Sequence, residues 1–449
     1  MGQSWVNGHL PYTELWDLKP PLVFLFFASI IYVFGKSFIA IRLIGALVIA
    51  STSFIVYKIG IKIHSKKAGL WMGLLYIYTS SLFGDVQGVM SEHLSMFFFL
   101  FGFYFILRKR GLQNILWAGL LFGCALLMKL NLSYAFLFIS ISYFYLLLQE
   151  LSFKKSFYYI SALGISTGIP FILICLPYHL QGLDKLYFDS VFLASLAYCN
   201  TPFQEKYNII IPVLFILPFV LGFLKWRKKI TIISNYSLLL ILSAIIGILN
   251  SFLMIGKING HYLLQLYPFL VMLLIPFLVS VIKPRNKILS LGLLILFALL
   301  PLESYKEYLF LGNRLLNNQS LYNGEGIEIP AYLKSSIKVT DKVFFLDFHI
   351  GYWELDRSPL TKAVTHPSNI KRENLYPFYG NTRKNCLEEL TYILETVQPK
   401  IIVTKNGEIP FLYDNPTNNN YFIDYLKKHY KLTKTIGKGE IYKLNGSSE

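Results

Sequence analysis

Charged residues are scarce in this sequence of 449 residues, where they make up 15% of the chain against 54% hydrophobic residues. Soluble domains carry about 25% charged residues, and they do not contain apolar runs long enough to cross a bilayer. The scarcity of charge therefore excludes an ordinary soluble protein. It predicts an α-helical polytopic membrane protein.

Cysteine pairs and common catalytic motifs are missing as well. The four cysteines have no paired spacing, so they indicate neither a disulfide scaffold nor a metal site. The sequence contains no P-loop, no G-x-S-x-G element, no H-E-x-x-H element and no internal repeat. No cofactor is predicted with certainty, and a divalent metal stays open as an alternative.

The net charge of +17 does not indicate nucleic-acid binding, because its distribution points to a membrane. Residues 303–449 carry 19 basic and 17 acidic side chains, so nearly all of the excess lies in the apolar part. There it is concentrated between alternate apolar runs, which the positive-inside rule assigns to the cytoplasm. The basic loops lie at 58–67, 108–110, 154–155, 225–229 and 283–287.

The apolar runs predict about ten spans, since roughly 20 apolar residues cross the hydrocarbon core. A further run at 20–35 is shorter and borders the outward loops, so it predicts a juxtamembrane helix rather than a span. The predicted spans are 38–57, 68–84, 92–107, 113–128, 132–149, 157–177, 208–224, 233–255, 261–282 and 288–302.

After Pro301 the long apolar runs end, and a small α/β domain is predicted outside the membrane. Its predicted elements are strands at 341–348 and 399–405, an amphipathic helix at 386–397 and a hairpin at 430–445. The segment 349–369 is interpreted as a surface loop, with a cleft lining as the alternative. The predicted regions are an outer-face loop with a juxtamembrane helix at 1–37, a transmembrane domain at 38–302 and an extracytoplasmic α/β domain at 303–449.

Polar side chains that the predicted topology turns outward form the candidate site. A carboxylate can remove a proton from an acceptor hydroxyl, and lysine can hold a phosphate group as a point charge. Such a set at the bilayer edge suits a substrate with its sugar in water, its phosphate at the interface and its tail in lipid. The candidates are Glu14, Asp17, Asp85, Glu92, Lys19, Arg42, Lys129, Lys257, His261 and Tyr262.

The stretch from Gly8 to Leu22 has the pattern G-x-L-P-Y-x-x-x-W-D-x-K-P-P-L. It resembles the first-loop signature of GT-C membrane glycosyltransferases, in the protein O-mannosyltransferase and lipid A aminoarabinose transferase superfamily. Four further segments follow in the order and spacing of that family, so the resemblance covers nearly the whole chain. They are RLIGAL (42–47), SEHLSMFFFLFGFY (91–104), LLMKLN (126–131) and HYLLQLYPFL (261–270).

The resemblance implies transfer of a sugar from a polyprenyl-phosphate donor to an envelope glycan, lipid or protein, by inverting displacement with a carboxylate base. Lys19 matches the lysine that holds the lipid-linked phosphate, and Glu92 matches the second acidic position. Tyr262 matches a late phosphate-contacting element, with His261 where an arginine often stands, and Lys129 joins them as a cation at the lipid boundary. Each also has a plainer interpretation: Pro20 and Pro21 start a helix, Lys129 snorkels and His261 is interfacial.

The sequence departs from the family at its start. In the family the principal catalytic aspartate follows a first transmembrane helix and precedes the loop signature, whereas here the chain begins with MGQSWVNGHLPY. We therefore expect that a first helix is missing from this sequence and that the chain as written is a poor catalyst. Glu14 and Asp17 are the alternative bases beside Glu92.

Two other classes of function stay open. A transporter or flippase of lipid-linked sugars would share the basic and aromatic boundary residues, and a non-catalytic glycan-assembly protein would tolerate the loss of an acid. An O-antigen ligase or polymerase is a third, related alternative. The expected partners are the lipid-linked donor, the envelope acceptor and membrane lipids, and no nucleic acid is expected. The expected location is a bacterial inner membrane, with the active site and the C-terminal domain on the extracytoplasmic side.

Overall fold

A computed structural model describes residues 1–81, 89–108, 111–199, 233–255, 260–281, 295, 299, 302–408, 410–411 and 415–446. The chain divides into two compact units. The helical unit consists of Lys19–Leu183 and Cys199–Phe310, and the α/β unit consists of Met1–Leu18, Asp184–Tyr198 and Leu311–Glu449. The N-terminal segment is thus part of the same unit as the C-terminal region.

Helices make up most of the described chain. The first eight are α1 (Gly2–Val6), α2 (Pro21–Phe34), α3 (Phe38–Ile63), α4 (Lys66–Ser80), α5 (Ser91–Leu107), α6 (Leu112–Met128), α7 (Ser133–Leu148) and α8 (Phe153–His179). The next five are α9 (Asp184–Phe188), α10 (Ala194–Cys199), α11 (Asn235–Ile255), α12 (Leu263–Val281) and α13 (Leu302–Leu316). The last four are α14 (Glu325–Ser336), α15 (Ile350–Glu354), α16 (Cys386–Thr391) and α17 (Pro416–His429).

The helical unit agrees with the predicted spans wherever it is described. Eight of the ten predicted segments coincide with the helices from α3 to α8, α11 and α12, while 208–224 and nearly all of 288–302 lie outside the described residues. Four helical segments are both long and apolar enough to cross a membrane: Phe38–Ile63, Leu130–Leu148, Phe153–His179 and Asn235–Ile255. The prediction of a polytopic helical membrane protein is confirmed.

Helix α2 is too short to span. Its 14 residues extend about 21 Å at 1.5 Å per residue, whereas the hydrocarbon core is about 30 Å thick. Pro20 caps the helix and Pro21 occupies its first turn, where a missing N–H costs no hydrogen bond. The double proline therefore starts α2, directly after Lys19.

Small residues allow the helices of this unit to approach closely. A Cβ added at Gly60 of α3 would overlap the backbone of Gly69 on α4, and one added at Gly247 of α11 would overlap the backbone of Ala135 on α7. Hydroxyl pairs supplement this packing, since Ser142 on α7 and Ser243 on α11 lie 2.6 Å apart through their Oγ atoms. Small residues at helix contacts and hydroxyl pairs between helices are both typical of helices packed within a membrane.

The α/β unit contains a four-stranded sheet of order β1-β2-β4-β3. Strand β1 pairs in parallel with β2, and β2 and β3 flank β4 in antiparallel pairs. The strands are β1 (Val343–Phe345), β2 (Ile401–Lys405), β3 (Tyr430–Ile436) and β4 (Gly439–Leu444). Both predicted strands and the hairpin are confirmed, and the predicted helix at 386–397 is α16 followed by a π-helical turn, Tyr392–Val397.

We predict that Gly60→Ala destabilises the helical unit by about 1–3 kcal/mol, because the added methyl group must separate α3 from α4. Thermal unfolding of the purified protein in detergent should therefore show a lower Tm. Gly164→Ala is the matched control, since a Cβ at Gly164 of α8 meets no atom within 4 Å. Equal Tm values for the two variants would contradict close α3–α4 packing.

We also predict acid sensitivity of the α/β unit at His349. Both ring nitrogens are buried without a hydrogen-bond partner among the described residues, and burial lowers the pKa of His349 to about 3. The unfolded chain then takes up a proton more readily, so this contribution to stability is complete above about pH 6.5 and is lost as the pH falls towards 3. In His349→Leu, protection of β2 amides from hydrogen exchange should depend less on pH across that window. His9→Gln, at an exposed histidine of the same unit, should keep the wild-type dependence.

Candidate functional site

Glu92 is the buried acid of the helical unit. It lies in the first turn of α5 with 1% of its surface exposed. Its Oε1 accepts a hydrogen bond of 2.6 Å from Lys129 Nζ, and its Oε2 accepts one of 3.0 Å from the hydroxyl of Ser91. A buried carboxylate is tolerated only when it is paired in this way.

Lys129 reaches Glu92 from the end of the neighbouring helix. It is the C-terminal cap of α6, after which Leu130–Leu132 form a short 3₁₀ turn. The C-terminal end of a helix carries partial negative charge, which favours a cation there. The ammonium group also lies 4.9 Å from the ring centroid of Tyr262, a cation–π distance.

His261 and Tyr262 complete the group from a third direction. They belong to the 3₁₀ turn Gly260–Tyr262, directly before α12. His261 Nε2 lies 3.8 Å from Glu92 Oε1, and the imidazole meets the Tyr262 ring edge-on at 4.6 Å between centroids. Tyr262 in turn stacks on Phe252 of α11, with the centroids 6.0 Å apart.

Lys19 belongs to the same electrostatic environment. It is half-buried before the first turn of α2, and its positive charge acts on His261. Lys19, Glu92, Lys129, His261 and Tyr262 are therefore brought together in the helical unit, and we call them the Glu92 cluster. The two lysines of the cluster outnumber its one carboxylate, so the cluster offers excess positive charge to an anionic ligand.

The other two predicted acids, Glu14 and Asp17, lie in the α/β unit. Glu14 is exposed and accepts hydrogen bonds from the hydroxyls of Ser4, at 2.7 Å, and Ser358, at 3.3 Å. Asp17 is buried, and its Oδ1 accepts the backbone N–H of Leu18 at 2.8 Å. Glu14 is thus tied to the C-terminal region, and Asp17 lies two residues before Lys19.

The segment that carries these acids is held firmly by the α/β unit. Trp16 is fully buried and packs edge-on against Tyr379, with the centroids 5.0 Å apart. The side-chain amide of Asn369 donates to the carbonyl of Trp16 at 3.1 Å, and Lys362 Nζ donates to the carbonyl of Tyr12 at 3.2 Å. The segment 349–369, interpreted from sequence as a surface loop, contributes both of these donors.

The structure describes one of the three remaining outward candidates. Arg42 is exposed on α3, whereas Asp85 and Lys257 lie outside the described residues. Among the described residues, no group of three or more His, Cys, Asp or Glu side chains is arranged to hold a metal ion.

Sequence reasoning missed an amide pair beside the cluster. Asn131 and Gln265 exchange two hydrogen bonds, although 134 positions separate them in the chain. Asn131 stands inside the LLMKLN segment and Gln265 inside HYLLQLYPFL, so both segments were noticed for other residues. Neither amide carried a signal of its own.

Comparison with known proteins supports the fold. Residues 18–174 match the family model described as dolichyl-phosphate-mannose-protein mannosyltransferase. No curated protein sequence matches the chain significantly.

Two solved structures are similar over almost the whole chain. ArnT from Cupriavidus metallidurans bound to undecaprenyl phosphate has a TM-score of 0.62 at 12% identity, covering 99% of this chain and 92% of that one. The apo state of the same ArnT has a TM-score of 0.59 at 12% identity, covering 98% and 91%. The chain therefore has the fold of ArnT, and its residues 18–174 match the sequence model of a protein mannosyltransferase family.

Proposed function

We propose that this protein transfers a sugar from a polyprenyl-phosphate donor to an acceptor in a bacterial cell envelope, on the extracytoplasmic side. The observation that carries the proposal is the Glu92 cluster, in which Lys129 and His261 approach one buried carboxylate and the charge of Lys19 acts on His261. The fold supports it, because the ArnT structure that it resembles was obtained bound to undecaprenyl phosphate.

The cations of the cluster suit the leaving group of such a reaction. A polyprenyl-phosphate sugar is a phosphodiester with one negative charge, and the departing polyprenyl phosphate carries about one further charge near neutral pH. Lys19 and Lys129 would stabilise that developing charge, because preorganised cations act most strongly where charge appears in the transition state. His261 would contribute a hydrogen-bond donor beside them. The ring of Tyr262 would hold Lys129 in place, and the hydroxyl of Tyr262 would donate a hydrogen bond to the bound phosphate.

The reaction also needs a base for the acceptor hydroxyl. In an inverting displacement, the hydroxyl oxygen attacks the anomeric carbon, the bond from that carbon to the phosphate oxygen breaks, and the hydroxyl proton passes to a carboxylate. Glu92, Asp17 and Glu14 are the candidate bases. Both oxygens of Glu92 already accept hydrogen bonds, so we expect its main contribution to be the orientation of Lys129.

The alternative of a lipid-linked sugar transporter is less well supported. Transporters place polar substrate sites near the middle of the membrane, at broken helices. Among the described residues of the helical unit, Glu92 is the buried acidic side chain. It lies at the beginning of α5 rather than midway along that helix. A non-catalytic assembly protein would share this cluster, and only measurement of sugar transfer separates it from an enzyme.

We predict that Lys19→Ala weakens donor binding. Loss of one charge-assisted phosphate contact is worth about 1.5–3 kcal/mol, so the Kd for undecaprenyl phosphate in detergent should rise by roughly 10-fold to 150-fold. Lys36→Ala, at an exposed lysine beyond the other end of α2, is the control and should leave the Kd unchanged. An unaltered Kd in Lys19→Ala would remove Lys19 from the phosphate site.

The proposed sidedness makes a separate prediction. In a protein without its four native cysteines, a cysteine at Lys384 of the α/β unit should react with an impermeant maleimide added to intact cells. A cysteine at Ser152, beside the basic residues that precede α8, should react only after the membrane is permeabilised. Both positions are exposed in the structure, so burial does not confound the comparison. Labelling of Ser152→Cys from outside would invert the topology.

A further inference from the structure

A reciprocal amide pair lies next to the Glu92 cluster. Asn131 Nδ2 donates to Gln265 Oε1 at 3.0 Å, and Gln265 Nε2 donates to Asn131 Oδ1 at 3.1 Å. Gln265 is fully buried. Each amide satisfies a donor and an acceptor of the other. Replacing Asn131 alone leaves the buried amide of Gln265 without these bonds, and replacing Gln265 alone leaves the half-buried amide of Asn131 without them.

The pair joins the chain segment that carries Lys129 to the segment that carries Tyr262. Asn131 lies in the 3₁₀ turn directly after Lys129, and Gln265 lies in the first turn of α12, three residues after Tyr262. Lys129 and Tyr262 themselves meet at 4.9 Å. A double hydrogen bond between the turns therefore sets the distance between the bases of these two side chains.

Helix α11 supports the same arrangement from behind. Ser251 Oγ lies 3.5 Å from Asn131 Nδ2, and its neighbour Phe252 stacks on the ring of Tyr262. Ser251 is also buried and donates to the carbonyl of Ile248 at 2.7 Å. Adjacent residues of one helix thus touch the amide pair and the cluster tyrosine.

We infer that Asn131 and Gln265 are positioning residues for the donor phosphate, an inference that rests on the proposed function. They act through Lys129 and Tyr262 rather than by touching the donor. A lysine side chain has four rotatable bonds, so its charge is useful only if its backbone and its contacts are held still. A displacement of about 1 Å at a reacting centre can reduce a rate by about 100-fold, which gives such a clamp a measurable effect.

The competing interpretation is that the amide pair only holds helices together. Polar pairs between membrane helices commonly do this, and the hydroxyl pair of Ser142 and Ser243 is an example within the same unit. That pair joins α7 to α11 and lies eleven residues after Asn131 in the chain, so it provides a matched control. A variant with alanine at both serines should lose stability without a specific loss of turnover.

The test uses shape-preserving variants of the whole protein. Asn131→Leu and Gln265→Met remove the amides singly, and combining them leaves no buried amide unpaired, so the double variant should keep a Tm near wild type. We expect kcat for sugar transfer from undecaprenyl-phosphate sugar to fall by about tenfold or more in both single variants and in the double variant, with KM changing by less than about threefold. The loss of kcat in the double variant should be smaller than the product of the losses in the two single variants.

Rescue and a chemical readout complete the experiment. The swap Asn131→Gln with Gln265→Asn keeps two amides of the same total length and should recover most of the lost kcat. Independently of turnover, acylation of Lys129 by an amine reagent, followed by mass spectrometry, should be faster in the single variants than in the wild type and slow again in the swap.

Three results would decide against the inference. Multiplying losses in the double variant would show that the residues do not act as a pair, and unchanged Lys129 acylation would show that they do not hold that lysine. A fall in Tm with wild-type kcat, as expected for the Ser142 and Ser243 control, would leave the pair a structural role only. If the wild type transfers no sugar, the proposed function fails, whereas the acylation rates still test the clamp.

Discussion

The pairing of one buried carboxylate with one lysine organises the helical unit around its polar site. Glu92 begins α5 and Lys129 ends α6, two helices that pack along their lengths. Neither charge is tolerable alone at this depth, because desolvation of an unpaired ion costs several kcal/mol. The requirement that they meet brings the ends of α5 and α6 together, and the turn before α12 adds His261 and Tyr262 to the same place. The charged groups of this site therefore lie at helix ends.

The second organising feature is that the N-terminal segment is held by hydrogen bonds from the rest of the α/β unit. Its donors bind main-chain carbonyls of Tyr12 and Trp16, so they hold the path of the chain rather than any particular side chain. Tyr12 has a φ of 73°, a conformation that costs a non-glycine residue about 1–3 kcal/mol and persists only where its surroundings enforce it. The main chain from Tyr12 to Trp16 is therefore fixed within the α/β unit.

The sequence predicted those parts whose signals are local. Apolar runs of span length gave their helices directly, and the K-P-P element, the acid of SEHLSMFFF, the lysine of LLMKLN and the aromatic pair of HYLLQLYPFL all belong to one cluster. Long-range features were not predictable. The Asn131–Gln265 pair and the parallel pairing of β1 with β2 join residues far apart in the chain, and neither partner looks unusual by itself. The union of residues 1–18 and 184–198 with the C-terminal region was missed for the same reason, because hydropathy shows which residues are outside the apolar runs but not which of them pack together.

The burial of Trp16 has a consequence for biosynthesis. Its indole N–H donates to the hydroxyl of Ser190, its carbonyl accepts from Asn369 and its ring packs on Tyr379, so its partners are translated at two widely separated times. Until the ribosome has passed residue 379, this large apolar side chain lacks much of its final environment, while the membrane helices between are already being inserted. Trp16 is therefore made before these partners and is among the last residues to reach its native contacts. Non-local assembly of this kind is slow, and it exposes intermediates to aggregation.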